Sequence, residues 1–206
     1  MNKKFGLIAC AAALQLLHAG SQAAVVISIQ EVGLDVVATG TGTLNLAGLN
    51  FLGGSLPISP FIIPSAAFVV VGPAGIFDDY QGSLSGPSSF GSGGSTTAVL
   101  GSGASLGIDA VGSMIVVPAG YVTNSPLLGT ATFFGASLSS LGATPGTYVY
   151  TFGSGLTADS FTVQIGPVAA VPEPSSVAMT LAGIAFVAGV GARRRSGRKA
   201  SSQGIS

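Results

Sequence analysis

Apolar and polar positions fall into three regimes along the chain. Phe5 to Leu17 is a mostly apolar run behind Lys3 and Lys4. Between Val25 and Ile165 the apolar runs are short, β-branched or alternating, and separated by glycine-rich stretches. From Val177 to Ala192 a second uncharged apolar run appears, and Arg193, Arg194 and Arg195 follow it.

The middle regime predicts strands. Val25 to Gln30 is β-branched, Thr41 to Leu46 alternates near glycines, and Phe68–Val71 and Met114–Val117 are continuous apolar runs of the kind buried strands show. Thr130 to Phe134 mixes Thr and Phe. The clearest pair comes last. In Thr147 to Phe152 the side chains of Tyr148, Tyr150 and Phe152 share one face, and in Phe161 to Ile165 those of Phe161, Val163 and Ile165 do. Residues 153–160 return the chain between them, and Pro145-Gly146 makes a turn before the first. No long stretch outside the termini has helical periodicity. The expectation is an all-β body over residues 24–170, a single β-sandwich or jelly-roll-like domain. The tract from Gly82 to Gly107 holds 8 Gly, 8 Ser and Pro87, and reads as a long surface loop or glycine-rich hairpins.

The first regime has the three parts of a secretory signal peptide: positive start, apolar run, and small residues at a cleavage site. Ser21 and Ala23 occupy the −3 and −1 positions, which places the cut before Ala24. Leu7 to Cys10 has the form of a lipobox, but the apolar segment between Lys4 and Cys10 is shorter than the usual run of about 7–15 residues. Residues 1–23 are therefore expected to be removed, and Cys10 and His18, the only Cys and the only His, leave with them.

The last regime is expected to be a transmembrane helix over residues 177–192. At about 1.5 Å per residue it is roughly 24 Å long, short of the roughly 30 Å hydrocarbon core. Ser175 and Ser176 lengthen it and the arginines snorkel. Pro174 suits a helix start. Basic residues only on its far side leave residues 196–206 in the cytoplasm and the body outside. Before the helix stands Val171-Pro172-Glu173-Pro174. The residue before each proline is pushed to extended geometry, and extended backbone is what a protease cleft pairs with.

Composition then excludes much. The chain has 206 residues, of which only 7% are charged, with 32 Gly and no Trp. All seven basic residues are terminal: Lys3, Lys4, Arg193, Arg194, Arg195, Arg198 and Lys199. The body keeps Glu31, Asp35, Asp78, Asp79, Asp109 and Asp159, with no Lys, Arg, His or Cys. A nucleic-acid partner is excluded, because neutralising phosphates takes Lys or Arg. Gly103-Ala104-Ser105-Leu106-Gly107 matches a nucleophile elbow, yet the body offers no His or Lys to activate the serine. Asp78 and Asp79 are the only adjacent carboxylates. On a strand they point to opposite faces, which suits paired acid–base roles badly. Neither enzyme activity nor a cofactor is expected. Asp78 and Asp79 are weak calcium ligands at most, with no EF-hand spacing around them. Tyr80, Tyr121, Tyr148 and Tyr150 read first as packing residues and alternatively as sugar-stacking contacts.

The end of the chain resembles the PEP-CTERM sorting signal, which joins a Pro-Glu-Pro motif, a short apolar helix and an Arg cluster in the order seen from Val171 to Arg195. The resemblance implies export through the translocon, trimming by signal peptidase, and recognition by exosortase, a membrane-embedded cysteine transpeptidase. It also implies a Gram-negative host that makes exopolysaccharide, and so a biofilm or cell-surface setting. The body is similar to a recurrent type among such proteins, through Thr39 to Leu44, Pro145 to Tyr148 and Gly153 to Thr162, a type that brings no activity with it. The expected product is a structural protein of the surface or matrix; the alternative is a carbohydrate-binding module on the same signal.

Overall fold

The structure, a computed structural model, describes residues 24–54 and 57–167. The signal peptide, the Val171–Pro174 motif, the 177–192 helix, the Arg cluster and the 196–206 tail lie outside the described residues. Among the described residues no helix is long and apolar enough to cross a membrane.

The body is all β. Strands β1 (Ala24–Val32) and β2 (Asp35–Gly42) form a hairpin that turns at Gly33 and Leu34; Gly33 has φ +67°, a conformation glycine adopts without Cβ strain. They are followed by β3 (Asn50–Gly54), β4 (Phe61–Ile63), β5 (Phe68–Val71), β6 (Phe77–Gln81), β7 (Thr96–Thr97) and β8 (Leu100–Gly103). The last five are β9 (Leu106–Asp109), β10 (Met114–Pro118), β11 (Leu127–Phe133), β12 (Gly146–Phe152) and β13 (Asp159–Ile165).

These strands make two sheets. One has the order β12-β13-β1-β2-β11-β8 and the other β3-β6-β10-β9-β5-β4-β7. One core joins them. Val25, Ile27 and Ile29 of β1 and Phe161, Val163 and Ile165 of β13 share a buried cluster with Val69, Ile108, Ile115 and Val117 of the other sheet. At Gly40 a Cβ would stand 2.9 Å from Leu106 Cδ1 and 3.0 Å from Val71 Cγ2, so the absent side chain there admits two residues from the facing sheet. The arrangement is a sandwich with alternating burial along its long strands.

The first and last strands lie side by side. β13 runs parallel to β1, from Ala24 opposite Ser160 to Ile29 opposite Ile165, and β12 covers its other side. The fold is therefore closed by an interior strand that ends at Ile165, and Gly166 still donates its N–H to the Ile29 carbonyl at 2.9 Å.

Several expected strands appear near their expected places: β1, β5, β10, β11, β12 and β13. The strand expected at Thr41–Leu46 does not. β2 ends at Gly42, whose φ of +132° turns the chain away, and Leu46–Gly48 is a short 3-10 turn. The Gly/Ser tract is also more than a loop. It supplies β7, β8 and the first half of β9, and its Phe90 is fully buried. Glycine is what makes this packing feasible: a Cβ on Gly72 would meet Ser105 Cα at 2.5 Å, where the chain crosses from one sheet to the other.

Candidate functional site

The body presents its ionisable groups in an unusual way: five of its six carboxylates accept a backbone N–H. Asp78 Oδ2 takes Gly120 N at 2.8 Å, Asp35 Oδ1 takes Gly135 N at 2.8 Å, and Asp109 Oδ1 takes Gly112 N at 2.8 Å. Glu31 Oε1 takes Leu138 N at 2.7 Å. Asp159 accepts from Asn45 N at 2.7 Å and from its neighbour Ser160 N at 2.6 Å. With no base in the body to pair with, these five acids find their donors in the main chain and fasten loops and turns.

Asp159 is the most buried of them and the one whose role the sequence hid. It ties Asn45 to the start of β13 across 114 positions. Tyr121 and Thr123 hold the same segment: Leu44 N donates to the Tyr121 hydroxyl at 3.0 Å and Leu46 N to Thr123 Oγ1 at 2.9 Å. Burial pushes the Asp159 pKa up, while the hydrogen bonds from Asn45 and Ser160 hold it back. Asp79 is the carboxylate without such a bond. Its partner across the sheet is Val116, of the outer apolar cluster, whereas Asp78 faces Val117, of the main core, so the two adjacent acids do point to opposite faces. Burial first, then the charges of Asp78 and Asp109, raises the Asp79 pKa.

These two shifts set a pH dependence. A group whose folded pKa is raised stabilises the fold at low pH and loses that contribution as pH rises through the folded value. Mutual repulsion of six acids without a base has the same sign. The melting temperature of the exported protein should therefore rise as pH falls from about 7.5 toward the ordinary Asp value of about 3.9. Asp79→Asn should flatten the rise. A melting temperature that falls over this interval would contradict the assignment.

The four tyrosines do not gather into one surface. Tyr121 donates to the Ser125 carbonyl at 2.7 Å. Tyr148 donates to the Thr144 carbonyl at 2.8 Å and packs edge-on to Phe90. Tyr150 is fully buried, its hydroxyl has no hydrogen-bond partner, and burial drives its pKa upward. It has no face to offer a sugar, which corrects its inclusion among the stacking contacts. Tyr80, in the other sheet, lies 5.3 Å from the ring of Phe51, which is exposed.

Ser105 sits where β8 gives way to β9, at a crossing between sheets and not at a strand-to-helix turn. It is buried and donates to the Pro73 carbonyl at 3.2 Å, a structural use of its proton. Among the described residues no three His, Cys, Asp or Glu side chains converge on a common point. The described residues line open clefts. One of about 250 Å³ lies beside Glu31, Leu34 and Ser137, and one of about 510 Å³ beside Ile58, Phe61 and Thr97.

Residues 170–195 match the PEP-CTERM protein-sorting motif. No curated protein and no solved structure matches the chain. The match supports an exported protein processed by exosortase, with the membrane as a transient stage before the surface. Of the predicted sorting residues, Val171, Pro172, Glu173, Pro174 and Arg193 to Arg195 all fall inside the matched span.

Proposed function

We propose that this chain is a structural protein of the cell surface or extracellular matrix, released from the membrane by exosortase and held among exopolysaccharide. The observation that carries the reading is the order of parts: the last strand ends at Ile165, and the sorting motif begins at residue 170. A cut between Val171 and Pro174 removes no described strand. At the other end Ala24, the residue expected after signal peptidase cleavage, is the first residue of β1.

The division of labour follows from the chemistry of each part. The translocon exports the body, and signal peptidase cuts after Ala23. The apolar run and its arginines stop transfer. The two prolines hold Val171 to Pro174 extended outside the bilayer, in the form a peptidase cleft binds. The apolar tail is then discarded, as in GPI processing. The body does no chemistry of its own in this reading. Its acids fasten loops, its one elbow-like serine is buried, and it has no base. It takes no cofactor and no nucleic acid.

A carbohydrate-binding module is the second reading, favoured by the exposed Phe51 ring against Tyr80 at the edge of the seven-stranded sheet. Fractionation separates the two. The processed protein should remain with the polysaccharide matrix and pass into the medium when polysaccharide synthesis is disabled. Retention unchanged by Phe51→Ala supports the structural reading, and retention lost in Phe51→Ala supports the module. Protein that never accompanies the matrix would overturn both.

A further inference from the structure

The outer face of the six-stranded sheet carries no explanation so far. Register places its side chains in rows that cross the sheet. One row reads Val149, Thr162, Val26, Thr41 and Leu128. The next reads Thr147, Gln164, Ser28, Thr39, Thr130 and Ser102. A further row holds Gln30, Val37, Thr132 and Leu100. Every one of these residues is partly or fully exposed, and none is charged or aromatic.

We infer that this face is a self-association surface that receives the same face of a second copy of this chain. Three observations select that occupant. The first is charge. A body with six carboxylates and no base repels its own copies, and the repulsion is weakest where carboxylates are absent. Asp78, Asp79 and Asp109 lie in or beside strands of the other sheet, Asp159 is buried, and Glu31 shares the core-facing alternation of Ile27 and Ile29. Only Asp35 reaches the margin, and it is tied to Gly135 N.

The second observation is apolar surface. Val149, Val26 and Leu128 are 47%, 36% and 60% exposed in a single row, with Leu100 at 57% on the same face. Two polar pairs on the face are already hydrogen-bonded, Ser102 Oγ with Thr130 Oγ1 at 2.8 Å and Gln30 Nε2 to Ser28 Oγ at 3.0 Å, which lowers the desolvation cost there. The third is area. Six strands at about 4.8 Å spacing and roughly seven residues at about 3.4 Å give a footprint of roughly 600 Å². Two such faces bury roughly 1,200 Å², the low end of specific interfaces. The geometry thus fits a reversible pairing of copies. The absence of aromatic rings gives sugars no stacking platform here.

The test is sedimentation velocity of the processed protein across a concentration series. The native chain should associate reversibly. Val26→Glu and, independently, Thr39→Glu should weaken association by about tenfold or more, because like charges then meet at the centre of the pair. Val111→Glu, in the exposed turn between β9 and β10, should leave it unchanged. An equimolar mixture of Val26→Glu and Val26→Lys should associate again, which a merely misfolded variant would not do. A native chain that stays monomeric throughout, even one retained by polysaccharide, would overturn the inference, as would association indifferent to both glutamates. Either failure leaves the sorting reading intact, because that reading rests on the chain ends.

Discussion

Pro172→Ala, Glu173→Ala and Pro174→Ala together should trap the exported chain in the membrane. The physical reason lies in backbone geometry. Each proline fixes its own φ near −65° and pushes the residue before it to extended geometry. Three alanines have the highest helix propensity, and they adjoin the Val177–Ala192 run directly through Ser175 and Ser176. The expected result is the loss of the extended peptide proposed for the exosortase cleft. Fractionation with an antibody to the body should find the surface and medium forms lost and a membrane form accumulated. The body should remain folded, since its last strand ends at Ile165. Release at the native level would show that the motif is not what exosortase reads.

Phe161→Ala should be the most damaging single change in the body. Phe161 is fully buried near the start of β13, opposite Val25 of β1 on one side and Tyr150 of β12 on the other. Removing its ring costs about 3–5 kcal/mol, the transfer of the lost atoms plus the cavity left behind. A domain of this size has about 5–15 kcal/mol of stability in all, so calorimetry should show a melting temperature lower by roughly 10–20 °C. The neighbouring Thr162→Ala, on the exposed face, should change stability by less than about 0.5 kcal/mol. A small loss at Phe161 would mean that β13 does not close the sandwich.

The difference between those neighbours was legible in the sequence. Alternation in Phe161 to Ile165 and in Tyr148 to Phe152 assigns the buried face because the period of a strand is two. β-branched runs such as Phe68–Val71 needed no alternation, since both their sides are covered: Val69 and Val71 face the main core and Val70 a second cluster. β6 escaped notice because Asp78-Asp79 interrupts any apolar pattern, and the register with β10 places one acid on each face, as strand alternation requires. β7 to β9 escaped because Gly and Ser carry no hydrophobic period. Their strands depend on close backbone approach, at Gly101 beside the Gly72 carbonyl and at Gly107 beside that of Val69. The strand placed at Thr41–Leu46 slipped because the alternation runs on through Gly42, where the backbone turns.

The functional residues divide along the same line. The sorting signal is local: its parts lie within 170–195 and are read in order along the chain. Asp159 is not local. Its partner Asn45 is remote, and an aspartate at the start of a strand carries no sign that it will be buried. The uncharged sheet face is hidden for a related reason. Its rows combine residues from six strands, and no single strand looks unusual.

The most direct measurement of the central claim is the intact mass of the protein recovered from the cell surface and medium, captured by an antibody to the body. The account predicts a chain that begins at or next to Ala24 and ends between Val171 and Pro174, with any attached group as extra mass at the new C-terminus. A chain running from Ala24 to Ser206 and confined to the membrane fraction would contradict it, and the tail would then be an anchor and nothing more.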